Sequence, residues 1–291
     1  LWAIGKLVGC GGLGLAARLG PMLTQIAYAK INLALHVRRR RDDGYHELET
    51  LFAFLDAGDR LWAREADGFS LEIEGPFGAG LSAGEDNLVL RAARLLARRH
   101  GIAGGVAFRL EKNLPIASGI GGGSADAAAA LRLACALWGL DLGLAAEMAL
   151  EIGADVPACL RSVTCFGAGV GEKLEPVEAG LAGAAVLLVN PLVACPTGPV
   201  FKAWDGVDRG ALHVADWAAG RNDLQAPALA LVPEIGAVLA ALSQTGARVV
   251  RMSGSGATCF AVYDGAQERD AAAAWMAERY PDWWQLSGAL R

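Results

Sequence analysis

Apolar and polar residues alternate from Ile26 to Val37. Ala29, Ile31, Leu33 and Leu35 fall on one face, and Tyr28, Lys30, Asn32, Ala34 and His36 on the other. Period-2 alternation of this kind predicts a half-buried β-strand. Lys30 and Asn32 then project side by side from mid-strand. On a solvated face they need no function; on a face that looks into a cleft, the fixed ammonium suits a phosphate or hydroxyl. The basic run Arg38 to Arg41, followed by Asp42, Asp43 and Gly44, reads as a solvated hairpin turn. Tyr45 to Phe52 returns as a strand, with Tyr45 and His46 at the turn exit, where loop residues tend to carry function. Leu61 to Glu74 reads as a further strand pair and residues 75–84 as a loop. Asp86 is placed to cap a helix running to His100, with Leu88, Ala92, Leu95 and Leu96 on its buried stripe and Gly101 ending it.

The pattern changes after Glu111. Val106, Phe108 and Leu110 alternate as a strand; Leu114 to Asp126 is rich in glycine, and an alanine-rich helix pattern runs on through Ala136. Glycine lets backbone approach a ligand closely, and a helix start presents free N–H groups and a partial positive charge. That combination suits a phosphate. The loop lacks the Gly-Lys-Ser/Thr ending of a Walker A sequence, and Ser124 stands where a dinucleotide fingerprint needs its third glycine. A plain flexible turn is the alternative; Gly119, the run Gly121 to Gly123 and Ser124 as a helix cap favour anion binding.

Leu144 to Ile152 reads as a short amphipathic helix stopped by Gly153. Asp155, between Ala154 and Val156-Pro157, is either a cap for the turn Val156 to Leu160 or a carboxylate in the apolar setting of a general base. Cys165-Phe166 is strand-like, and 176–183 has linker composition. Beyond it lie a strand at Ala184 to Val189, a loop from Pro191 to Phe201, and a helical region from Asn222 through Leu242. Strands at Val249 to Met252 and Thr258 to Tyr263 flank the small-residue turn Ser253 to Gly256, and a helix from Gln267 to Tyr280 closes the chain. Strands and helices alternate in both halves, which predicts two packed α+β domains with a cleft between them.

Composition narrows the function classes. Hydrophobic residues make up 54% of the 291 and charged ones 20%, which excludes a disordered chain. A net charge of -5 argues against a general nucleic-acid binder. The six cysteines are scattered without a C-x-x-C, as buried free thiols in a reducing cytoplasm would be. No His/Cys/Asp/Glu grouping has structural-metal spacing. Residues 1–21 hold a Gly-rich apolar stretch too short to cross a bilayer. They are expected to form an extension outside a fold that starts near Met22, with a weak export signal as the alternative.

Several of these stretches together resemble one family. Pro115-x-x-Ser118-Gly119-x-Gly121-Gly122-Gly123-Ser124 is similar to the phosphate loop of the GHMP kinases, and Ser253-Gly254-Ser255-Gly256-Ala257 to their C-terminal glycine motif. Ala29 to Leu33, Asp43 to Leu51, Gly153 to Pro157 and Pro196-Thr197 with Phe201 resemble one branch of it, whose acceptor is a cytidine diphosphate derivative in the non-mevalonate route to isoprenoid precursors.

The resemblance implies an α+β fold of two domains. Residues 22–177 would form an ATP-binding domain like the second domain of ribosomal protein S5, and residues 178–291 a ferredoxin-like domain. It implies an ATP- and Mg²⁺-dependent cytoplasmic kinase, monomeric or weakly dimeric, with no nucleic-acid or membrane partner. Asp155 matches the family's base and Lys30 its catalytic lysine. Pro115, Ile116, Ala117, Ser118, Gly119, Ile120, Gly121, Gly122, Gly123, Ser124 and Ala125 would cradle the ATP phosphates. Asn32, Tyr45, His46, Thr197 and Phe201 would hold the cytidine substrate, Tyr45 and Phe201 by stacking and His46 by reading the polar edge of the base. No protein residue is assigned to the metal. Ala117-Ser118 and Ala125 depart from residues common in the family, changes that contacts through the backbone should survive. A GHMP kinase for homoserine or mevalonate, which would not need Gly44-Tyr45-His46, and a non-catalytic nucleotide binder, which would not need both Lys30 and Asp155, are the alternatives.

Overall fold

The alternation of the first strand becomes one half of a long antiparallel hairpin. In the computed structural model, which describes residues 21–291, β1 (Leu23–Arg40) pairs with β2 (His46–Ala66) from Leu23↔Ala63 to Arg40↔His46. The extension expected over residues 1–21 lies, but for Pro21, outside the described residues. The turn between the strands uses Gly44 at φ 86°, a conformation costly for a side chain with Cβ.

The hairpin is irregular, and this corrects the simple alternation. The register shifts between Asn32 and Ala34, so Ala34 joins Ile31 and Leu33 between the two sheets, while Leu35 and Val37 pack with the second half of the chain. Leu61 to Ala66 is not a separate strand but the far end of β2. It pairs with β4 (Gly105–Glu111), and β3 (Ser70–Glu74) runs parallel on the other side of β4. The near end of β2 pairs with β5 (Cys165–Gly169), which pairs with β6 (Lys173–Pro176), completing six strands.

Helices cover the outer face of this sheet. α1 (Leu88–His100) is capped by Asn87, whose side chain accepts from the Val89 N–H, and not by Asp86, which bonds back to Ser82. Gly101 ends it in the left-handed region, as expected. α2 (Gly122–Trp138) packs against α1, β1 and β2, burying Ala127 to Leu131. The helix expected over Leu144 to Ile152 is broken at Met148 into α3 (Leu142–Ala146) and α4 (Ala149–Ile152), and α5 (Val156–Arg161) follows against α2.

The second half forms a four-stranded antiparallel sheet in the order β10-β7-β9-β8. Its strands are β7 (Ala185–Asn190), β8 (Val249–Met252), β9 (Cys259–Tyr263) and β10 (Trp284–Ala289). Between them run α6 (Thr197–Lys202), α7 (Gln225–Leu231), α8 (Glu234–Ser243) and α9 (Ala266–Arg279). Taken in chain order, this is the split βαβ arrangement of a ferredoxin-like domain. Three expectations change here. Thr197 lies on a helix and not in a loop, the helical region to Leu242 is divided beside Pro233, and the chain closes on an edge strand and not on a helix.

The two sheets face each other. Ile31, Leu33, Leu51 and Ala53 of the first meet Val186, Leu188, Phe260 and Val262 of the second, all fully buried or nearly so. The result is four layers, with α1, α2 and α5 outside one sheet and α8 and α9 outside the other. The five described cysteines are buried and free. Among the described residues, no helix is long and apolar enough to cross a membrane.

Candidate active site

A cleft of about 880 Å³ opens along one edge of the paired domains, a size that suits a small-molecule site. The glycine loop forms one wall. α2 begins at Gly122, with Gly121 at φ 64° before it, so the first N–H groups of the helix have no intrahelical partners and lie at the cleft wall. Ser124 is therefore not the cap: it sits inside the first turn and makes no capping bond. A Cβ on Gly121 would lie 3.0 Å from Lys30 Cε, so the loop passes directly over that lysine.

The C-terminal glycine turn braces the loop from the other domain. The Ser253 hydroxyl donates to the Gly119 carbonyl at 3.0 Å, and the Thr258 N–H donates to the Ser118 carbonyl at 3.2 Å. A Cβ on Gly119 would come within 2.6 Å of the Ser253 carbonyl oxygen, so this contact requires glycine.

Beneath the loop, Lys30 Nζ lies 3.1 Å from Asp155 Oδ2 and donates to Asn32 Oδ1 at 3.0 Å. The Asn32 amide donates onward to Thr50 Oγ1 at 2.8 Å, and Thr50 to the Ala34 carbonyl at 2.8 Å. The face of Phe52 lies 5.0 Å from the ammonium. Lys30 is buried, whereas the Asp155 side chain is 35% exposed and lines the cleft. Asp155 occupies the N-cap position of α5 yet makes no capping bond, so of the two readings its carboxylate takes the cleft and not the cap. Asn32 lines the cleft too, and its amide is committed to orienting Lys30.

Aromatic residues gather at the far end. The His46 ring lies 5.0 Å from Phe201 and, edge-on, 5.7 Å from Trp204. Arg40 Nε donates to His46 Nε2 at 3.4 Å. Burial first, and then the Arg40 charge, hold the imidazole below the ordinary histidine range. Tyr45 stands exposed at the rim, and the Thr197 hydroxyl is 2.9 Å from that of Ser255. Arg40, Lys202, Gly254 and Ser255 also line the cleft; the sequence reading had not placed them there.

Most of the expected site residues thus share one cleft, but not all. Pro115 and Ile116 line a smaller adjoining pocket of about 300 Å³, which Ala117, Gly122 and Gly123 share with the main cleft. Ile120 and Ala125 are buried in the core; the Ala125 N–H is bonded within the helix to the Gly121 carbonyl.

A second lysine lies under the loop, unanticipated. Lys112 Nζ is 2.5 Å from Asp59 Oδ2 and 2.7 Å from Asp126 Oδ2, all three nearly inaccessible. Asp59 Oδ1 accepts from the N–H groups of Asn113 and Leu114 at 2.6 and 2.8 Å, pinning the chain where the loop starts. Burial raises the Asp126 carboxyl to about 7, and its Oδ1 has no partner. The only sequence signal for this cluster was three charges in otherwise apolar company, far apart in the chain. No group of three or more His, Cys, Asp or Glu among the described residues is arranged to hold a metal ion.

Comparison with known proteins accords with this geometry. The model of the GHMP kinases N terminal domain matches residues 87–162, and that of the GHMP kinases C terminal matches residues 211–282. A 4-diphosphocytidyl-2-C-methyl-D-erythritol kinase from Novosphingobium aromaticivorans is 59% identical, over 92% of this chain and 93% of its own length. One of the same name from Sphingopyxis alaskensis is 53% identical, over 94% of this chain and 100% of its own. A crystal structure of 4-(cytidine 5'-diphospho)-2C-methyl-D-erythritol kinase shares 35% identity at a TM-score of 0.80, covering 92% of this chain and 99% of that one. Homoserine kinase from Cytophaga hutchinsonii, at 18% identity and a TM-score of 0.71, shares the fold. The chain belongs to the GHMP kinase family, within its group of 4-diphosphocytidyl-2-C-methyl-D-erythritol kinases. The expected α+β GHMP fold and kinase class are both borne out.

Proposed function

We propose that the chain transfers the γ-phosphoryl group of ATP to the 2-hydroxyl of 4-diphosphocytidyl-2-C-methyl-D-erythritol. The observation that carries this reading is the Lys30–Asp155 pair, 3.1 Å apart and placed in one cleft between the glycine loop and the aromatic pocket of His46 and Phe201. Phosphoryl transfer asks the protein mainly for positioning and charge stabilisation. The backbone N–H groups at the start of α2 suit the phosphates of ATP. Asp155 takes the proton of the acceptor hydroxyl as the oxygen attacks phosphorus. Lys30, held by Asn32, orients the Asp155 carboxylate and steadies the attacking oxygen.

The residues fit Mg²⁺ carried on the phosphates. Ser124 and Asp155 supply oxygen donors at the cleft wall without a cage of protein ligands, and Mg²⁺ commonly binds through few protein oxygens plus phosphates and water. When bound, the ion would neutralise phosphate charge. On this reading residues 22–177 form the domain that holds ATP, and residues 178–291 contribute Thr197 and Phe201 to the acceptor end.

The test is ADP release by the purified chain with Mg²⁺ and ATP, offered the cytidine compound, homoserine and mevalonate in parallel. Turnover with the cytidine compound alone is expected. Turnover with either other acceptor in its place would remove the acceptor assignment, and none with any would remove the kinase reaction itself.

A further inference from the structure

His46 is held on three sides. Phe201 and Trp204 fix the plane of its ring, and Arg40 approaches Nε2. Arg40 is itself tied down, for its Nη2 reaches the carbonyls of Lys202 and Trp204 at 3.5 Å each, around the C-terminal end of α6. Guanidinium nitrogens only donate, so the hydrogen bond requires a lone pair on His46 Nε2. An imidazolium has no such lone pair, and neither does the Nε2–H tautomer. That contact calls for a neutral ring with its proton on Nδ1. Burial and the adjoining Arg40 charge, which both disfavour imidazolium, agree with that state. Nδ1 makes no hydrogen bond among the described residues, and the ring lines the cleft. What the site offers a ligand there is thus one N–H donor of fixed direction.

We propose that Arg40 is a positioning residue that sets the tautomer of His46, so that the Nδ1–H selects a base with a hydrogen-bond acceptor at ring position 3. Cytosine carries a lone pair on N3, whereas uracil carries N3–H, which would face the Nδ1–H donor to donor. A site built to hydrogen-bond a group rejects the analogue that leaves its own polar atom unpaired. Arg40 touches no base in this account; it acts through His46. The account rests on His46 as the base-reading residue of the proposed function, and the experiment below separates the two.

The tautomer is read without any substrate. In ¹⁵N-histidine-labelled protein, two-bond ¹H–¹⁵N correlation spectra distinguish Nδ1–H from Nε2–H, and His46→Gln identifies the resonance among the four histidines. The wild type is expected in the Nδ1–H form at neutral pH. Arg40→Met should shift it towards Nε2–H, and Arg40→Lys, which keeps a donor, should restore it at least in part. Kinetically, Arg40→Met should reduce the preference for the cytidine acceptor over its uridine analogue by about tenfold, the worth of one hydrogen bond. That loss should lie mainly in the acceptor KM, with the ATP KM unmoved. A wild-type Nε2–H tautomer, or an Nδ1–H form that survives in Arg40→Met, overturns the proposal. If the wild type fails to phosphorylate the cytidine compound, the acceptor reading fails, while the spectra still judge Arg40.

Discussion

Two lysine–aspartate clusters lie under the same glycine loop, and their residue types are nearly identical. In one, Lys30 faces Asp155 at 3.1 Å and the carboxylate is 35% exposed to the cleft. In the other, Lys112 sits between Asp59 and Asp126, and no side chain of the three is more than 5% exposed. The difference lies in exposure: the Asp155 carboxylate opens onto the cleft, whereas the Lys112 trio is almost wholly covered, although Lys112 and Asp126 lie at the wall of the smaller pocket. Asp59 spends Oδ1 on two backbone N–H groups and Oδ2 on Lys112, so its work is to hold the strand-to-loop junction. Asp155 has one carboxylate oxygen paired with Lys30 and opens onto the space where an acceptor hydroxyl fits. A charged pair suits chemistry where its carboxylate is open to a substrate, and suits fastening where its members are nearly covered and bonded to the backbone.

Substitutions can break that contrast. The largest effect expected is on turnover in Asp155→Asn, which keeps the shape and removes the base. The kcat should fall by roughly 10²–10⁴, the usual worth of general base catalysis. Stability in urea should move by less than in Lys112→Met, because Asp155 is partly solvated and Lys30 keeps its bond to Asn32. A drop in stability with turnover intact would exchange the roles of the two clusters. Lys112→Met should do the reverse. It leaves two carboxylates buried against each other without a cation, and breaking a buried pair costs about 3–5 kcal/mol. The midpoint of urea unfolding should fall accordingly, and any activity loss should follow the loss of folded protein.

The contrast also explains what could be read before the structure. The glycine loop, the Lys30–Asn32 strand and Asp155 were legible because each is a local pattern: three glycines in a row, period-2 alternation, and a carboxylate beside a proline. The Lys112 cluster was not, because its members lie on β2, at the end of β4 and on α2, and only tertiary packing joins them. The same reason hid Arg40, which reads as one of four basic residues in a solvated turn. Helix caps were read less well than helices. Asn87 and Asp86 are equally good candidates in sequence, and Gly121, not Ser124, occupies the cap of α2 because the loop must enter the left-handed region there. The edge strand β10 had a signal that went unused, Trp284 and Leu286 alternating with Gln285 and Ser287.

A subtler substitution sharpens the comparison inside the sealed cluster. Asp126 carries a carboxyl raised from 3.8 to about 7, chiefly by burial, and an Oδ1 without a partner. Between those two values the folded chain keeps a proton that the unfolded chain has released. The stabilisation from that proton is therefore full below the lower value and is lost as pH rises through about 7. Asp126→Asn has the same shape and no proton to lose, and Lys112 still has Asp59. Relative to the Asn variant, the wild type should lose stability as the pH is raised from 5 to 8. The change is of the order of 1 kcal/mol, since each pH unit of full linkage is worth about 1.4 kcal/mol and Lys112 shares the charge. Paired urea titrations of the two proteins across that range measure it. A flat difference would mean that Asp126 is ionised throughout and fully paired with Lys112. With Asp126 ionised in both states, pairing with Lys112 would at least offset the desolvation of its carboxylate, making the cluster a source of stability at neutral pH and not only a constraint on where the loop begins.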